Sequence, residues 1–278
     1  MSVLRSPPMS TSNRNLGSSL GAGLAVAGRF LGRAAVGAGR GVAAAYHAVD
    51  PDVRRHVAHL PLAGISYLAA KEEEIAALPD DGHPPVLFVH GLGGHRGNFL
   101  VLQGLLRLSG RTRSYALGLG DAPLAEMAAS VRRALAEIAR VNDLDADAKI
   151  DLVAHSMGGL VARLALLDAT ACARVGTVVT LGTPHGGTLA ARFGATHHVL
   201  ELRPGSATVQ ELASQLPWRG PPHQPRLVCL WSDSDVFLLP ASTARVEGAR
   251  NVELEGFTHY SYLIHPRSAA AVLDALRG

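Results

Sequence analysis

The chain contains few of the residues that build disulfide, metal or nucleic-acid sites. Its 278 residues include two cysteines, Cys172 and Cys229, which make neither a disulfide framework nor a metal cluster, so we expect two buried, reduced thiols. Lysine occurs only at Lys71 and Lys149, and no basic run is interleaved with aromatic residues, which argues against a nucleic-acid-binding surface. No apolar run reaches the length of about 18 residues that a membrane-spanning helix needs.

The composition is typical of a globular protein with a large core. Hydrophobic residues make up 47% of the sequence and charged residues 18%, and the length suits one large α/β domain or two small ones. The net charge of +3 is unevenly distributed, because residues 1–60 hold seven arginines and two aspartates. The rest of the chain is therefore close to neutral.

Residues 1–80 are predicted to form an N-terminal extension. Residues 1–15 are polar and are expected to be disordered. Alanine and glycine dominate residues 16–49, for which three interpretations stay open: a loosely structured extension, a helix whose glycine stripe packs on another element, or an interfacial segment whose arginines meet anionic lipid headgroups. The last interpretation predicts contact with a membrane surface through residues 16–49. A short charged helix is predicted over Lys71–Leu78.

A secretory signal fits the start of the sequence poorly. The polar lead is long, and glycine interrupts the apolar part. We therefore expect a cytoplasmic or peripherally membrane-associated protein rather than a secreted one.

Apolar runs alternate with helical segments over residues 81–278, the predicted catalytic domain. Because the runs are continuous rather than alternating in polarity, they favour an α/β fold with a mostly parallel sheet covered by helices on both faces. The predicted strands are Val86–Val89, Tyr115–Leu119, Ile150–Val153, Val175–Leu181, Arg226–Trp231 and Asn251–Leu254, and the predicted helices are Phe99–Leu108, Pro123–Val141, Leu160–Leu167 and Pro266–Leu276.

Ser156 lies where a predicted strand passes directly into a predicted helix. A serine in such an elbow has a strained backbone, so the residues two before and two after it must be small. Ala154 and Gly158 meet this requirement, one methyl group away from the commoner G-x-S-x-G pattern. Chance is the alternative in a chain this rich in alanine and glycine. The pattern predicts that Ser156 is a catalytic nucleophile at a helix N-terminus.

The general base and its acid are sought at the ends of later strands. Of the thirteen histidines, His259 follows the last predicted strand, where the order Ser…Asp…His places the base, whereas His90 is interpreted as a structural residue that fixes its loop. The acid is expected after Trp231. Asp235 is favoured because apolar residues follow it, while Asp233 is interpreted as a turn residue.

An oxyanion hole is predicted from two backbone N–H groups. One belongs to Met157, directly after the nucleophile, and the other to Leu92 in the glycine-rich loop 90–94, where glycines let the backbone approach closely. A dinucleotide-binding interpretation of this loop fails because the third glycine and the distal acid are not in register.

These motifs resemble the α/β-hydrolase superfamily, in particular bacterial lipases and esterases of the triacylglycerol lipase type. The resemblance covers residues 84–278 and implies carboxylester hydrolysis through an acyl-enzyme, without a cofactor. It also places the acid at Asp235, by similarity to small Bacillus-type lipases. The calcium ligands and disulfide of some larger relatives have no match, so no metal is expected. The matching motifs are V-H-G-L-G-G at 89–94, A-H-S-M-G-G at 154–159, L-G-T-P-H-G-G-T at 181–188, residues 232–236 and G-A-R-N-V-E-L-E-G-F-T-H at 248–259.

The substrate implied by the resemblance is an acyl ester or lipid. Acyl transfer or thioester cleavage on the same triad, and a non-catalytic scaffold that binds a membrane or a partner, remain alternatives. Residues 189–225 are either a candidate lid over an acyl pocket or a helical crossover with a loose loop. Five apolar residues suit an acyl chain or, equally, core packing: Leu92, Phe99, Met157, Phe237 and Phe257.

Overall fold

The computed structural model describes residue 51 and residues 74–278. The predictions for residues 1–15 and 16–49, including the membrane-surface contact, therefore lie outside the described residues. Within the described part of the chain, no helix combines the length and the apolar character needed to cross a membrane.

Six parallel strands form one sheet in the described part of the chain, in the order β2-β1-β3-β4-β5-β6. The prediction of a parallel sheet is confirmed, and the bounds of β1, β4 and β5 are those expected from the apolar runs. The strands are β1 (Val86–Val89), β2 (Ser114–Leu117), β3 (Ile150–His155), β4 (Val175–Leu181), β5 (Arg226–Trp231) and β6 (Arg250–Glu253).

Helices connect the strands and cover both faces of the sheet. Short 3-10 helices span Arg96–Phe99, Leu189–Phe193 and Ala241–Ala244. The four predicted helices correspond to α1, α2, α3 and α8. The α-helices are α1 (Leu100–Leu108), α2 (Leu124–Val141), α3 (Met157–Ala165), α4 (Ala169–Arg174), α5 (His197–Glu201), α6 (Ala207–Ala213), α7 (Ser261–Ile264) and α8 (Pro266–Arg277).

Two apolar cores lie on the two faces of the sheet, because side chains of a strand alternate between its faces. Leu87 and Leu152 join the core under α2 and α3, whereas Phe88 and Val153 join the core under α1 and α8. Burying each such side chain contributes about 1.5–3 kcal/mol. This packing holds the carboxyl ends of β1, β3 and β4 side by side, with Val89 next to Ala154.

The prediction of a helix over Lys71–Leu78 is wrong for the described residues 74–78, which have no regular secondary structure. Their backbone groups bond to the domain rather than to one another. The Tyr115 hydroxyl donates to the Ala76 carbonyl (3.1 Å), and the Leu78 N–H donates to Asn142 Oδ1 (3.1 Å).

Residues 189–225 form a crossover that contains the 3-10 helix Leu189–Phe193, α5 and α6. Leu202, Leu212 and Trp218 of this segment are buried and belong to the core under α2 and α3. The helical part of the crossover interpretation therefore describes the observed structure. The lid interpretation stays a prediction.

The two cysteines differ in burial. Both are free thiols, as expected; Cys229 is buried in β5, but Cys172 on α4 is only partly buried. The prediction of two buried thiols is therefore wrong for Cys172, because the short helix α4 covers the sheet with Ala171 and leaves the Cys172 side nearer to solvent.

Candidate active site

Ser156 has the strained backbone that the elbow motif predicts. Its φ and ψ are 55° and −128°, and it is one of two non-glycine residues with positive φ in the described part of the chain. Such a conformation costs about 1–3 kcal/mol and persists only where neighbours hold it. Here the Ser156 N–H donates to the Leu181 carbonyl (2.8 Å), and the Thr183 hydroxyl donates to the Ser156 carbonyl (2.8 Å).

The start of α3 has no room for side chains beside the serine. A Cβ on Gly158 would lie 2.6 Å from the His90 carbonyl oxygen and would also collide with the Val89 carbonyl. A Cβ on Gly159 would collide with the Thr183 side chain. The need for a small residue at position 158 is therefore confirmed, and the same need at position 159 is one that the sequence pattern did not reveal.

The glycine-rich loop packs directly against the serine. A Cβ on Gly91 would lie 2.7 Å from Ser156 Cβ and 3.2 Å from Ser156 Oγ. The Gly94 N–H donates to the Gly91 carbonyl (3.0 Å) and closes a turn through Leu92 and Gly93, whose φ is 61°. Leu92 thus follows the residue that touches the serine, and the role of its N–H and that of Met157 as oxyanion donors stays a prediction.

His90 fixes the glycine-rich loop to its surroundings. Its Nδ1 lies 3.0 Å from the Gly91 carbonyl, and its Nε2 accepts from the Leu119 N–H (3.0 Å). Burial lowers the pKa of His90 to about 4. A neutral ring with Nδ1–H donating satisfies both bonds, which is the structural role expected for this residue.

Asp235 and His259 form a direct pair at the edge of the sheet. The Nδ1 atom of His259 lies 2.8 Å from Asp235 Oδ2 and 3.1 Å from Oδ1. Asp235 is 1% exposed and also accepts from the Phe237 N–H (3.0 Å). With Nδ1–H donated to the carboxylate, the lone pair of His259 Nε2 is free to take a proton.

Asp233, the other candidate acid, stays outside this pair. It is exposed, and its Oδ1 accepts only a long bond from the neighbouring Ser234 hydroxyl (3.3 Å). The geometry therefore favours Asp235 over Asp233, as the sequence did.

His155 connects the serine strand to the histidine loop, a role that the sequence did not predict. Its Nε2 donates to the His259 carbonyl (2.8 Å), and the two rings are 4.6 Å apart. Burial, with the neighbouring His259 as a second cause, holds the pKa of His155 well below its usual value. His155, the residue directly before Ser156, thus bonds to the loop that carries His259 as a neutral ring.

Ser156 directly follows His155, the residue that bonds to the loop carrying His259. No hydrogen bond joins the Ser156 hydroxyl to the imidazole within residues 74–278. Such bonds are often long without substrate and shorten in the reacting complex. Ser156 and His259 are therefore connected through His155 in the observed state.

Two of the five apolar residues proposed to suit an acyl chain face solvent. Leu92 and Phe237 are 44% and 37% exposed, whereas Phe99, Met157 and Phe257 are buried in the cores. The Phe237 ring lies 4.9 Å from the His259 ring. An apolar surface therefore adjoins the Asp235–His259 pair.

A second buried polar cluster lies behind the elbow, under the crossover. The Arg163 guanidinium donates to the Leu212 carbonyl (2.6 Å) and to Gln215 Oε1 (3.1 Å), and its Nη1 is 3.4 Å from His185 Nδ1. Burial lowers the pKa of Arg163 to about 10. No described carboxylate pairs with Arg163, so this cluster ties α3 to the crossover through neutral acceptors.

A group of side chains that could bind a metal ion is separate from the predicted triad. Within the described ranges, the group whose ligand atoms lie close enough together to hold an ion is Asp121, His197 and His198.

Comparison with known proteins agrees with the observed fold. A family model with the description "Domain of unknown function (DUF7379)" matches residues 62–218. Bacillus licheniformis lipase BlEst2 in its mature form superposes with a TM-score of 0.59 at 20% identity, over 72% of this chain and 94% of that one.

Two larger proteins also share the architecture. Aspergillus fumigatus lipase B gives a TM-score of 0.62 at 16% identity, over 77% of this chain and 57% of that one. Phospholipase PlaB from Legionella pneumophila gives 0.60 at 13% identity, over 71% and 60%. This chain thus spans about three fifths of these two proteins. The similarities, with the parallel sheet, show an α/β-hydrolase fold.

Proposed function

We propose that this chain, which belongs to the DUF7379 family of domains of unknown function, is a serine carboxylester hydrolase. The observation that carries the proposal is the hydrogen-bonded Asp235–His259 pair, which lies at the same edge of the sheet as the strained Ser156 elbow. A carboxylate, an imidazole and a serine in this order are the components of an acyl-transfer triad.

In the proposed reaction, Ser156 Oγ attacks the ester carbonyl carbon while His259 Nε2 takes the hydroxyl proton. Asp235 orients the imidazole and stabilises its charged form. The tetrahedral intermediate expels the alcohol, which leaves with the proton from His259. Water then attacks the acyl-enzyme by the same route, releasing the acid and restoring the serine.

The negative oxygen of each tetrahedral intermediate needs donors that are already in position. The proposed donors are the N–H groups of Leu92 and Met157. Removing one such donor typically costs about 2.7–4 kcal/mol of barrier. The close packing of Gly91 against Ser156 supports this assignment, because it keeps the backbone next to Leu92 near the reacting atoms.

The proposed substrates are acyl esters of lipid type. Two observations support this choice: the exposed Phe237 ring beside His259, and the fold shared with proteins described as a lipase and a phospholipase. The proposed membrane contact of residues 16–49 would bring the domain to such substrates.

The proposal is tested with p-nitrophenyl esters of increasing acyl length. Ser156→Ala is expected to lower kcat by about 10⁴–10⁶-fold, whereas the exposed Ser109→Ala is expected to keep wild-type rates. Ordinary turnover by Ser156→Ala would overturn the mechanism. Product analysis in the presence of an alcohol acceptor separates hydrolysis from acyl transfer.

A further inference from the structure

A cluster of two histidines and an aspartate joins the crossover to the loop that follows β2. His197 and His198 begin α5, and Asp121 lies in the loop between β2 and α2. The Asp121 Oδ1 atom is 3.3 Å from His198 Nε2 and 3.8 Å from His197 Nε2. One possible ligand atom from each of the three residues lies within 4.8 Å of the other two.

The separations of Asp121 from the two histidines are close to those of ligands around a small divalent cation. Zn²⁺ binds imidazole nitrogen and carboxylate oxygen at about 2.0–2.2 Å in tetrahedral geometry, which separates neighbouring ligand atoms by about 3.3–3.6 Å. The two Asp121–histidine distances of 3.3 and 3.8 Å lie near this range. Two imidazoles with one carboxylate also match the donors that zinc prefers over calcium or magnesium.

The two imidazole rings are held close together beside the carboxylate. Their centroids are 3.7 Å apart, a separation at which two charged imidazolium ions would repel one another. Two neutral imidazole nitrogens and the Asp121 carboxylate, by contrast, are all attracted to a cation placed between them.

His198 already has a second acceptor near the same nitrogen. Its Nε2 lies 2.8 Å from the Ala122 carbonyl oxygen, so a ring protonated at Nε2 donates there. Binding of a cation at Nε2 puts the ring proton on Nδ1 and replaces the bond to Ala122, so the His198 ring must turn away from that carbonyl oxygen when the cation binds. His197 is half exposed and Asp121 is 79% exposed, so a cation reaches the cluster from solvent.

The cluster lies between two segments that are also connected by other bonds. The Leu124 N–H donates to Glu201 Oε1 at the end of α5 (3.2 Å). On the other side, the Leu119 N–H holds His90 in the glycine-rich loop. A cation bound here would thus fasten the crossover to a loop that contacts the wall of the candidate active site.

We propose that Asp121, His197 and His198 form a Zn²⁺ site with three protein ligands and a position left for water. The site fixes α5 of the crossover to the loop after β2. It does not depend on the proposed ester hydrolysis, because its readout is metal binding.

The site is tested by calorimetric titration of the untagged full chain with Zn²⁺. Wild type is expected to bind one equivalent that is lost in both His197→Ala and Asp121→Asn, two exposed positions whose replacement leaves the core untouched. The exposed controls His83→Ala and Asp147→Asn are expected to keep it. Saturating Zn²⁺ should raise the Tm of wild type by about 5 °C, and this shift should vanish in the two ligand variants.

Two results would overturn the zinc proposal. One is the absence of saturable Zn²⁺ binding by wild type. The other is binding of equal stoichiometry in His197→Ala and Asp121→Asn, which would assign the metal to other surface groups. Titration with Co²⁺ adds a geometric check, since a tetrahedral site gives intense visible absorption that both ligand variants should lose.

Discussion

Two buried histidines lie in regions of opposite charge. His259, at the edge of the sheet, donates to the carboxylate of Asp235 (2.8 Å), whereas His185, under the crossover, faces the guanidinium of Arg163 (3.4 Å). A carboxylate stabilises a protonated imidazole and a guanidinium disfavours it. Burial and then Arg163 hold the pKa of His185 well below its usual value. The charged neighbour, rather than the residue type, thus distinguishes a candidate base from a structural histidine.

The largest expected effect separates these two histidines directly. His259→Asn removes the proposed base and should lower kcat/KM for an ester by about 10⁴–10⁶-fold. His185→Asn should lower kcat/KM by less than about tenfold, because it touches no reacting atom, while unfolding free energy falls by about 1–3 kcal/mol through lost buried bonds. Steady-state kinetics and urea denaturation of both variants check this. Equal kinetic losses would break the distinction.

The next effect concerns the carboxylate that sets the charge around His259. Asp235→Asn should lower kcat by about 10⁴-fold, because an amide no longer favours the required tautomer or the imidazolium. Asp233→Asn is the matched control, and as an exposed substitution it should change the rate by less than about twofold. A larger loss of kcat in Asp233→Asn than in Asp235→Asn, measured with the same ester, would show that Asp233 rather than Asp235 is the acid.

Part of the candidate site could be predicted from the sequence. Ser156 and the small residues around it are contiguous in the chain, so the elbow was predictable from one short pattern. Asp235 and His259 were predictable because each follows a continuous apolar strand, and the ends of parallel strands meet at one edge.

Other features depend on contacts that are distant in sequence. Arg163 lies in the apolar first helix after the elbow, and only its acceptors on the crossover, Leu212 and Gln215, explain its burial. Asp121 meets His197 across 76 positions in the chain, so no local pattern marks the cluster. Residues 74–78 were expected to be helical because the charged segment has helical composition, but bonds to Tyr115 and Asn142 override this preference.

A smaller effect tests whether the Arg163 cluster stabilises the fold. Arg163→Met leaves the Leu212 carbonyl and Gln215 without their donor, and should lower the free energy of unfolding by about 4 kcal/mol. The exposed Arg133→Met should change it by less than about 0.5 kcal/mol. Urea denaturation measures both. Stability unchanged in Arg163→Met would show that the crossover does not depend on this guanidinium.

The smallest effect is a pH dependence that arises at His90. Its pKa is lowered from 6.5 to about 4 by burial, so between these values the unfolded chain binds a proton that the folded chain does not. The free energy of unfolding should therefore fall as the pH drops from 6.5 to 4, by about 3 kcal/mol for this residue.

Replacing His90 separates its contribution to the pH dependence of stability from the contributions of the other buried histidines. In His90→Gln the slope of unfolding free energy against pH should be smaller by up to about 1.4 kcal/mol per pH unit within this range. The exposed His83→Gln should keep the wild-type slope. Denaturant unfolding at a series of pH values gives the comparison, and an unchanged slope in His90→Gln would contradict a neutral His90 in the folded chain.

The proposed hydrolysis depends on an activated Ser156, and covalent labelling of the full chain by a fluorophosphonate tests this activation most directly. We expect one adduct per chain, located by peptide mass spectrometry at Ser156, absent in Ser156→Ala and strongly slowed in His259→Asn but not in His185→Asn. An unlabelled Ser156 in the folded wild-type protein, or a probe adduct that persists in Ser156→Ala, would contradict it.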